Sequence, residues 1–452
     1  MAAKTEPTVY QLAFDGDFGL ERETLRVDER GFLSQTPHPF PGNPRIDRDF
    51  CESQIEIVSP VCRSISELYN AVESIDEETK AGLQERAPRE YLWPFSNPPY
   101  ILGEDSIPIA KFEGLLKHKE VYRRYLSQKY GKRKMLFCGI HFNYSYSERF
   151  LGRMMEREGR SDLQGFRNQM YLRLSEQIEL TSWLPVFLTS ASPVFDGSFL
   201  EGGKQGETML SEEASMRSGR GGYWNEFVPI IDYTDIERYT ASVETYVRNG
   251  QLYSPSEWYT PVRVKPRGEN NLETLRKNGA NHIELRMLDI NPLSHIGVLK
   301  EDLRFLHLYL IYLTFQEREP FGEAEQIAAV EDHKNAALFD VDDVAVHLHG
   351  AEMPLARAAL SFLEEMEEFF RFIRRDDVLP VLEIMKERCL VKEKRHAYRI
   401  RRLFGESFVE RGMALARAYD APKAEDLIKR FSGDGGDCSA DQAKEESPFV
   451  NC

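Results

Sequence analysis

The chain has 452 residues, 41% of them hydrophobic and 29% charged, with 30 Gly and 23 Pro. That composition excludes a disordered or fibrous chain and allows a large buried core. The net charge of −16 excludes the broad basic surface that nucleic-acid binding needs, while leaving room for a local positive pocket around a small anion. Six cysteines at 51, 62, 138, 389, 438 and 452 form no CxxC pair, so free thiols in a reducing compartment are expected. The opening MAAKTEPTVYQLAFDGDFG has no apolar signal core. The most apolar stretches, Trp183–Phe187 and Phe305–Phe315, are too short to span a membrane. A cytosolic protein with neither membrane nor nucleic-acid partner is expected.

The first strand signal is GLERETLRV, where Glu21 and Glu23 share one face and Leu20 points the other way. The turn-like DRDF then brings Asp49 to the start of ESQIEIV, with Glu52, Gln54 and Glu56 opposite Ile55 and Ile57. Helical spacing at Leu68, Val72, Ile75 and Leu83 predicts a helix over 66–90, and further helices are predicted over 111–130 and 161–190. Between those two, GIHFNYS alternates again, with His141, Asn143 and Ser145 opposite Ile140, Phe142 and Tyr144. The glycine-rich GRGGY at 219–223 lacks the lysine and preceding strand of a phosphate loop. YTPVRVKPRG puts Tyr259, Pro261 and Arg263 on one side, with Lys265 and Arg267 further on. This basic segment reads equally as a nucleotide-facing strand or a solvated edge. In HIELRML, Glu284 and Arg286 lie opposite Ile283, Leu285 and Met287. From Lys300 to about 432 the pattern is almost entirely helical, and 433–452 has no periodicity and reads as a flexible tail. An α+β protein is therefore expected. It would have one catalytic domain over 1–432, with sheet motifs at 16–300 and helices covering the apolar sheet face.

If the alternating segments are neighbours, their polar, solvent-facing sides bring together Glu21, Glu23, Glu56, His141, Glu284 and Arg286, with Asp49 at the rim. Crowded carboxylates raise one another's pKa unless cations sit among them. An oxygen-rich set with one imidazole suits Mg²⁺ or Mn²⁺ bridging to nucleotide phosphates, with Arg286 placed for the transferred group. Taken singly, each segment reads as an ordinary solvated strand face.

FGLERETLRV, DFCESQIEIVSP, YLWPFSNPP, CGIHFNYS and IELRMLDINPLSHIGV together resemble glutamate–cysteine ligases of the bacterial type, including the ligase half of bifunctional glutathione synthetases. The likeness runs in order from about residue 16 to 300. It implies a glutamine-synthetase-like fold, a curved antiparallel sheet forming a funnel-shaped site with helices outside. It also implies an ATP-dependent reaction in which the γ-carboxylate of L-glutamate is phosphorylated and the amine of L-cysteine displaces phosphate, the first step of glutathione synthesis. By the same resemblance Glu21, Glu23, Asp49, Glu56, His141 and Glu284 are metal ligands, while Arg286 and Arg217 serve the reacting phosphate. Phe50, Tyr122, Arg123, Leu126 and Tyr223 hold cysteine. Tyr259 and Arg263 are the expected nucleotide contacts. Three other readings stay open: a different small amino-acid acceptor, a non-catalytic binding relative, and a metal-dependent phosphotransferase.

Overall fold

The structure, a computed structural model, describes residues 8–222 and 224–420; the predicted tail over 433–452 and Tyr223 lie outside the described residues. A seven-stranded antiparallel sheet carries the architecture. Its strands are β1 (Gly16–Val27), β2 (Ile46–Arg48), β3 (Gln54–Val58), β4 (Tyr91–Leu92) and β5 (Gly139–Tyr146), followed later in the chain by a basic edge strand and a final long strand. Between β5 and these lies a small separate hairpin of β6 (Val194–Asp196) and β7 (Thr208–Leu210). The basic edge is β8 (Val262–Pro266) and the long strand is β9 (Ala280–Asp289). The order is β2-β3-β1-β5-β9-β8, with β4 also pairing β1. The four alternating segments are thus adjacent, and YTPVRVKPRG does form an edge.

One sheet face is apolar because Phe18, Leu20, Ile140, Phe142, Ile283 and Leu285, all buried, point the same way. Helix Leu163–Thr181 covers it at β8 and β9, and helix Ile65–Gln84 covers β1 and β3. Ser64 caps the latter by accepting the Glu67 N–H, and Asp162 caps the former by accepting that of Gly165. Helix Lys300–Phe315 packs behind both and is apolar nearly all round, as a helix enclosed by other helices must be. The apolar face is not purely apolar. Arg22 and Arg26 lie on it, fully buried, paired with Asp76 and Glu90 respectively.

The expectation of an almost entirely helical stretch from 300 onward needs one correction. A hairpin of β10 (Ala345–Leu348) and β11 (Ala351–Pro354) interrupts it. Its turn residues His349 and Gly350 both have positive φ, 51° and 73°, the conformation that tight hairpin turns demand. Among the described residues no helix is long and apolar enough to cross a membrane.

The helical layer is pinned by a buried ionic node. Asp302 accepts from Arg388 Nη1 at 2.6 Å and pairs with His396 Nε2 at 2.9 Å. Burial alone would raise the Asp302 carboxyl, but Arg388 and His396 outweigh it and hold it at about 2. Its contribution to stability is complete above the unfolded carboxyl value near ~4 and is lost as pH falls toward 2. Asp302→Ala strands the Arg388 guanidinium and is expected to cost about 3–5 kcal/mol in denaturant unfolding at neutral pH. An unchanged unfolding midpoint would show that the node is not needed.

Candidate active site

The other sheet face is polar, and the strand order brings its charged side chains together. Glu21 stands opposite His141 across β1–β5, Glu23 opposite Glu56 across β1–β3, and Glu284 between Asn143 and Arg263. Glu21, His141 and Glu284 each offer one ligating atom, and all three atoms lie within 4.8 Å of one another. His141 Nδ1 is 3.2 Å from Glu21 and 3.9 Å from Glu284, and its Nε2 is 3.8 Å from Glu23.

The centre of the face is enclosed rather than solvent-exposed as expected from the alternation, while Glu21 and Asp49 toward its rim are partly exposed. Glu284 is only 1% exposed, Glu23 and His141 4% each. Glu284 receives Lys265 Nζ at 2.9 Å and Arg286 Nη1 at 2.8 Å. Burial pushes Glu284 up, but Arg286, Lys265 and His141 more than reverse this and leave it well below the ordinary range. The other end of the cluster behaves oppositely. Burial, with Asp49 nearby, pushes Glu23 up to about 8. Burial together with Asp49, Glu21 and Glu23 drives Glu56 well above the ordinary range as well. So one half of the cluster has its counter-charges built in, while Glu23 and Glu56 lack them, and a cation beside these two would favour their ionised forms. Asn143 adds to this fit: its amide nitrogen donates to Glu21 at 3.1 Å, and its buried carbonyl oxygen has no donor among the described residues. A hard divalent cation suits this donor set.

Arg217 reaches the cluster from the segment 213–222. Its guanidinium lies 3.3 Å from His141 Nε2 and donates to the Arg286 carbonyl. It passes over Gly139, the first residue of β5, where any Cβ would overlap the guanidinium. Two carboxylates shape the segment, Glu213 half-buried and Asp289 buried. Glu213 accepts the Gly221 N–H at 3.0 Å, and a side chain at Gly219 or Gly221 would collide with it. Asp289, at the end of β9, accepts from the Ser192 and Ser215 hydroxyls at 2.9 Å each, and Ser215 in turn caps the Ser218 N–H.

Helix Lys117–Tyr130 flanks the Asp49 side. Arg123 Nε donates to the Asp49 carbonyl at 2.5 Å and its Nη2 lies 3.4 Å from the Asp49 carboxylate. Phe50 and Leu126 are buried, and the Tyr122 ring stacks on Tyr253 at 5.6 Å. Four of the five residues expected to hold cysteine thus border the Asp49 end; the fifth, Tyr223, lies outside the described residues. Tyr259 shares a cleft with Arg217, Arg286 and Trp224. Arg263 is held down to about 10 by burial and by Arg286, still cationic at neutral pH, beside Glu284. At the opposite end of the strands a cavity of about 570 Å³ opens beside Glu21, with Arg63, Arg167, Arg267 and His282 in its wall.

With that geometry in place, a family model for glutamate–cysteine ligase matches residues 4–253 and 247–336 of the chain. The chain belongs to the glutamate–cysteine ligase family. A glutathione biosynthesis bifunctional protein of Listeria welshimeri is 34% identical over 436 residues, covering 92% of this chain and 55% of that protein. The glutamate–cysteine ligase of Clostridium acetobutylicum is 30% identical over 419 residues, covering 80% and 86%. Among solved structures, a bifunctional glutathione synthetase from Pasteurella multocida superimposes with a TM-score of 0.78 at 25% identity, covering 94% of this chain and 55% of that one. A Francisella tularensis glutamate–cysteine ligase gives the same TM-score at 20% identity over 93% of each chain, a likeness of fold. The chain spans about half the length of the bifunctional relatives it matches.

Several residues of this family member's site were not singled out from the sequence. Lys265 was visible in the alternation of VRVKP, but nothing there showed that it would pair with Glu284. Gly139 carries no chemistry of its own, and its role lies in the space it leaves. Glu213 and Asp289 act through backbone and hydroxyl contacts that periodicity does not encode.

Proposed function

We propose that the chain joins the γ-carboxylate of L-glutamate to the amine of L-cysteine, converting ATP to ADP and phosphate, as the first step of glutathione biosynthesis in the cytoplasm. The observation that carries this reading is the single enclosed face on which Glu21, His141 and Glu284 meet beside Arg286 and Arg217. We read 1–432 as one catalytic unit. Glu21, His141 and Glu284, with Glu23, Glu56 and Asp49, would hold Mg²⁺, or Mn²⁺ in its place. Such an ion would offset the charge of the nucleotide phosphates.

The chain's own side chains orient the rest. A γ-carboxylate oxygen of glutamate attacks the terminal phosphorus of ATP, ADP leaves, and a γ-glutamyl phosphate results. The cysteine nitrogen then attacks the acyl carbon, phosphate leaves, and the nitrogen gives up a proton as the amide forms. Arg286 and Arg217 offer planar donors to the transferred phosphoryl group, where its charge is redistributed. The Tyr259 and Arg263 side of the cleft is assigned to the nucleotide phosphates, and the cavity beside Glu21 accommodates the rest of the nucleotide. Phe50, Tyr122, Arg123, Leu126 and Tyr223 form the acceptor side, with Arg123 the cation for the acceptor's carboxylate. Enclosure of the face excludes water that would hydrolyse the acyl phosphate.

The decisive assay is phosphate release from ATP with Mg²⁺ and L-glutamate, with and without L-cysteine, and the product identified by mass. Release that needs both amino acids and yields γ-glutamylcysteine is expected, and chelation of the metal should abolish it. Release that needs glutamate but ignores cysteine would transfer the chemistry to another acceptor amine. No amide with any amine would favour a binding relative.

A further inference from the structure

We propose that Glu257 is a positioning residue for the acceptor amino acid, fixing helix Lys117–Tyr130 against the Asp49 end of the site. The inference rests on the assignment of Tyr122, Arg123 and Leu126 to the acceptor. That helix is poorly supplied with apolar anchors. Of its 14 residues only Glu120 and Leu126 are buried, and Glu120 is paired within the helix, to Lys117 and Arg124. An isolated helix of this length is marginal in water, and ordinarily a buried apolar stripe holds it in place. Here three partly buried tyrosines, Tyr122, Tyr125 and Tyr130, touch the core, and polar contacts complete the anchoring.

Glu257 is completely buried at the end of the short turn Pro255–Glu257. One carboxylate oxygen receives Lys129 Nζ at 2.6 Å, the Tyr130 hydroxyl at 2.8 Å and the Tyr125 hydroxyl at 3.4 Å, all from the helix. The other oxygen accepts the Tyr253 N–H at 2.5 Å. Tyr253 then stacks on Tyr125 at 4.6 Å and on Tyr122 at 5.6 Å. The Glu257 carbonyl accepts from the Asn225 side chain at 2.8 Å, and Asn225 accepts the Tyr259 N–H at 3.0 Å. The buried carboxylate therefore joins the helix with Tyr122 and Arg123 to the turn with Tyr253, while the backbone carbonyl of the same residue holds the chain around Asn225 and Tyr259. Glu21, His141 and Glu284 share none of these bonds, and a change at the Glu257 carboxylate leaves the carbonyl bond that leads through Asn225 to Tyr259 intact, so it acts first on the helix and the acceptor end.

The test is Glu257→Gln in the full chain, read by KM for each substrate and by amide exchange over 117–130. Charge-assisted bonds to a buried carboxylate are worth enough that their loss should raise the KM for L-cysteine about tenfold or more. KM for L-glutamate and ATP should stay within about threefold, because their contacts keep their geometry. Exchange should quicken in 117–130 and not in β1, β5 or β9. Tyr130→Phe, which removes a single donor, should show the same pattern more weakly and keeps the test alive should Glu257→Gln fail to fold. An unaltered acceptor KM, or a parallel rise in all three KM values with faster exchange throughout, overturns the proposal. If the unsubstituted protein makes an amide with another amine, the KM comparison is run with that amine. If it makes none, the ligase reading fails and localised exchange still decides whether Glu257 anchors the helix.

Discussion

Glu284→Gln is expected to lower turnover about 10³-fold at saturating substrates, the scale seen when a preorganised electrostatic group is removed from a reacting centre. The glutamine is nearly isosteric, so the loss comes from charge. Glu284 is the point where Lys265, Arg286 and His141 converge, at 2.9, 2.8 and 3.9 Å. Without the carboxylate, Lys265 and Arg286 remain as two cations in an enclosed place with only a neutral amide between them, and one proposed metal ligand loses its charge. Because the residue is only 1% exposed, some stability is lost too, on the order of 3–5 kcal/mol by analogy with broken buried pairs. Activity must therefore be normalised to folded protein by circular dichroism, and the apparent Mg²⁺ requirement measured alongside. Near-normal turnover in the folded fraction would remove Glu284 from the reaction.

Gly139→Ala should cost about 10²-fold in kcat, on the scale of losing one transition-state donor, while barely changing the melting temperature. β-strand backbone accepts alanine, and the Gly139 N–H keeps its 2.9 Å bond to Glu23. What the methyl group cannot share is the space of the Arg217 guanidinium. Arg217 is long and flexible enough to swing away, so the fold survives and the arginine is displaced from His141 and from the Arg286 carbonyl. Arg217→Ala should resemble Gly139→Ala, and the double variant should be no worse than either alone. Additive losses would mean that the glycine acts through something other than Arg217.

The alternation of charged and apolar residues in GLERETLRV, ESQIEIV, GIHFNYS and HIELRML was enough to locate four strands and their chemical face. Adjacency was not encoded there, because period two says which way a side chain points and nothing about which strand lies beside it. Enclosure was not legible either. Helix Lys117–Tyr130 and the segment 213–222 border that face by contacts between residues far apart in sequence, such as Arg123 with Asp49 and Arg217 with His141. Arg22 and Arg26 broke the simple rule in the other direction. They are buried on the side away from the charged face because Asp76 meets Arg22, and Glu90 with Ser34 and Thr36 meets Arg26. The hairpin at 345–354 escaped notice within a helical stretch because its signal is the single turn at His349 and Gly350.

The strand order β3-β1-β5-β9 also sets a timetable for synthesis. The side chains at 21, 141 and 284, proposed to hold the metal, are supplied by pieces of chain made at widely separated moments. β1 is made first yet has both neighbours in the sheet still to come, β3 soon and β5 much later. A nascent chain that stops short of residue 280 lacks the strand bearing Glu284 and Arg286. It leaves β5 as an unpaired edge of exposed N–H and C=O groups. Closing such long sequence separations is entropically slow. The growing chain therefore carries an adhesive sheet margin until its last long strand emerges, and completion of the proposed metal site and relief from aggregation arrive together in that one step.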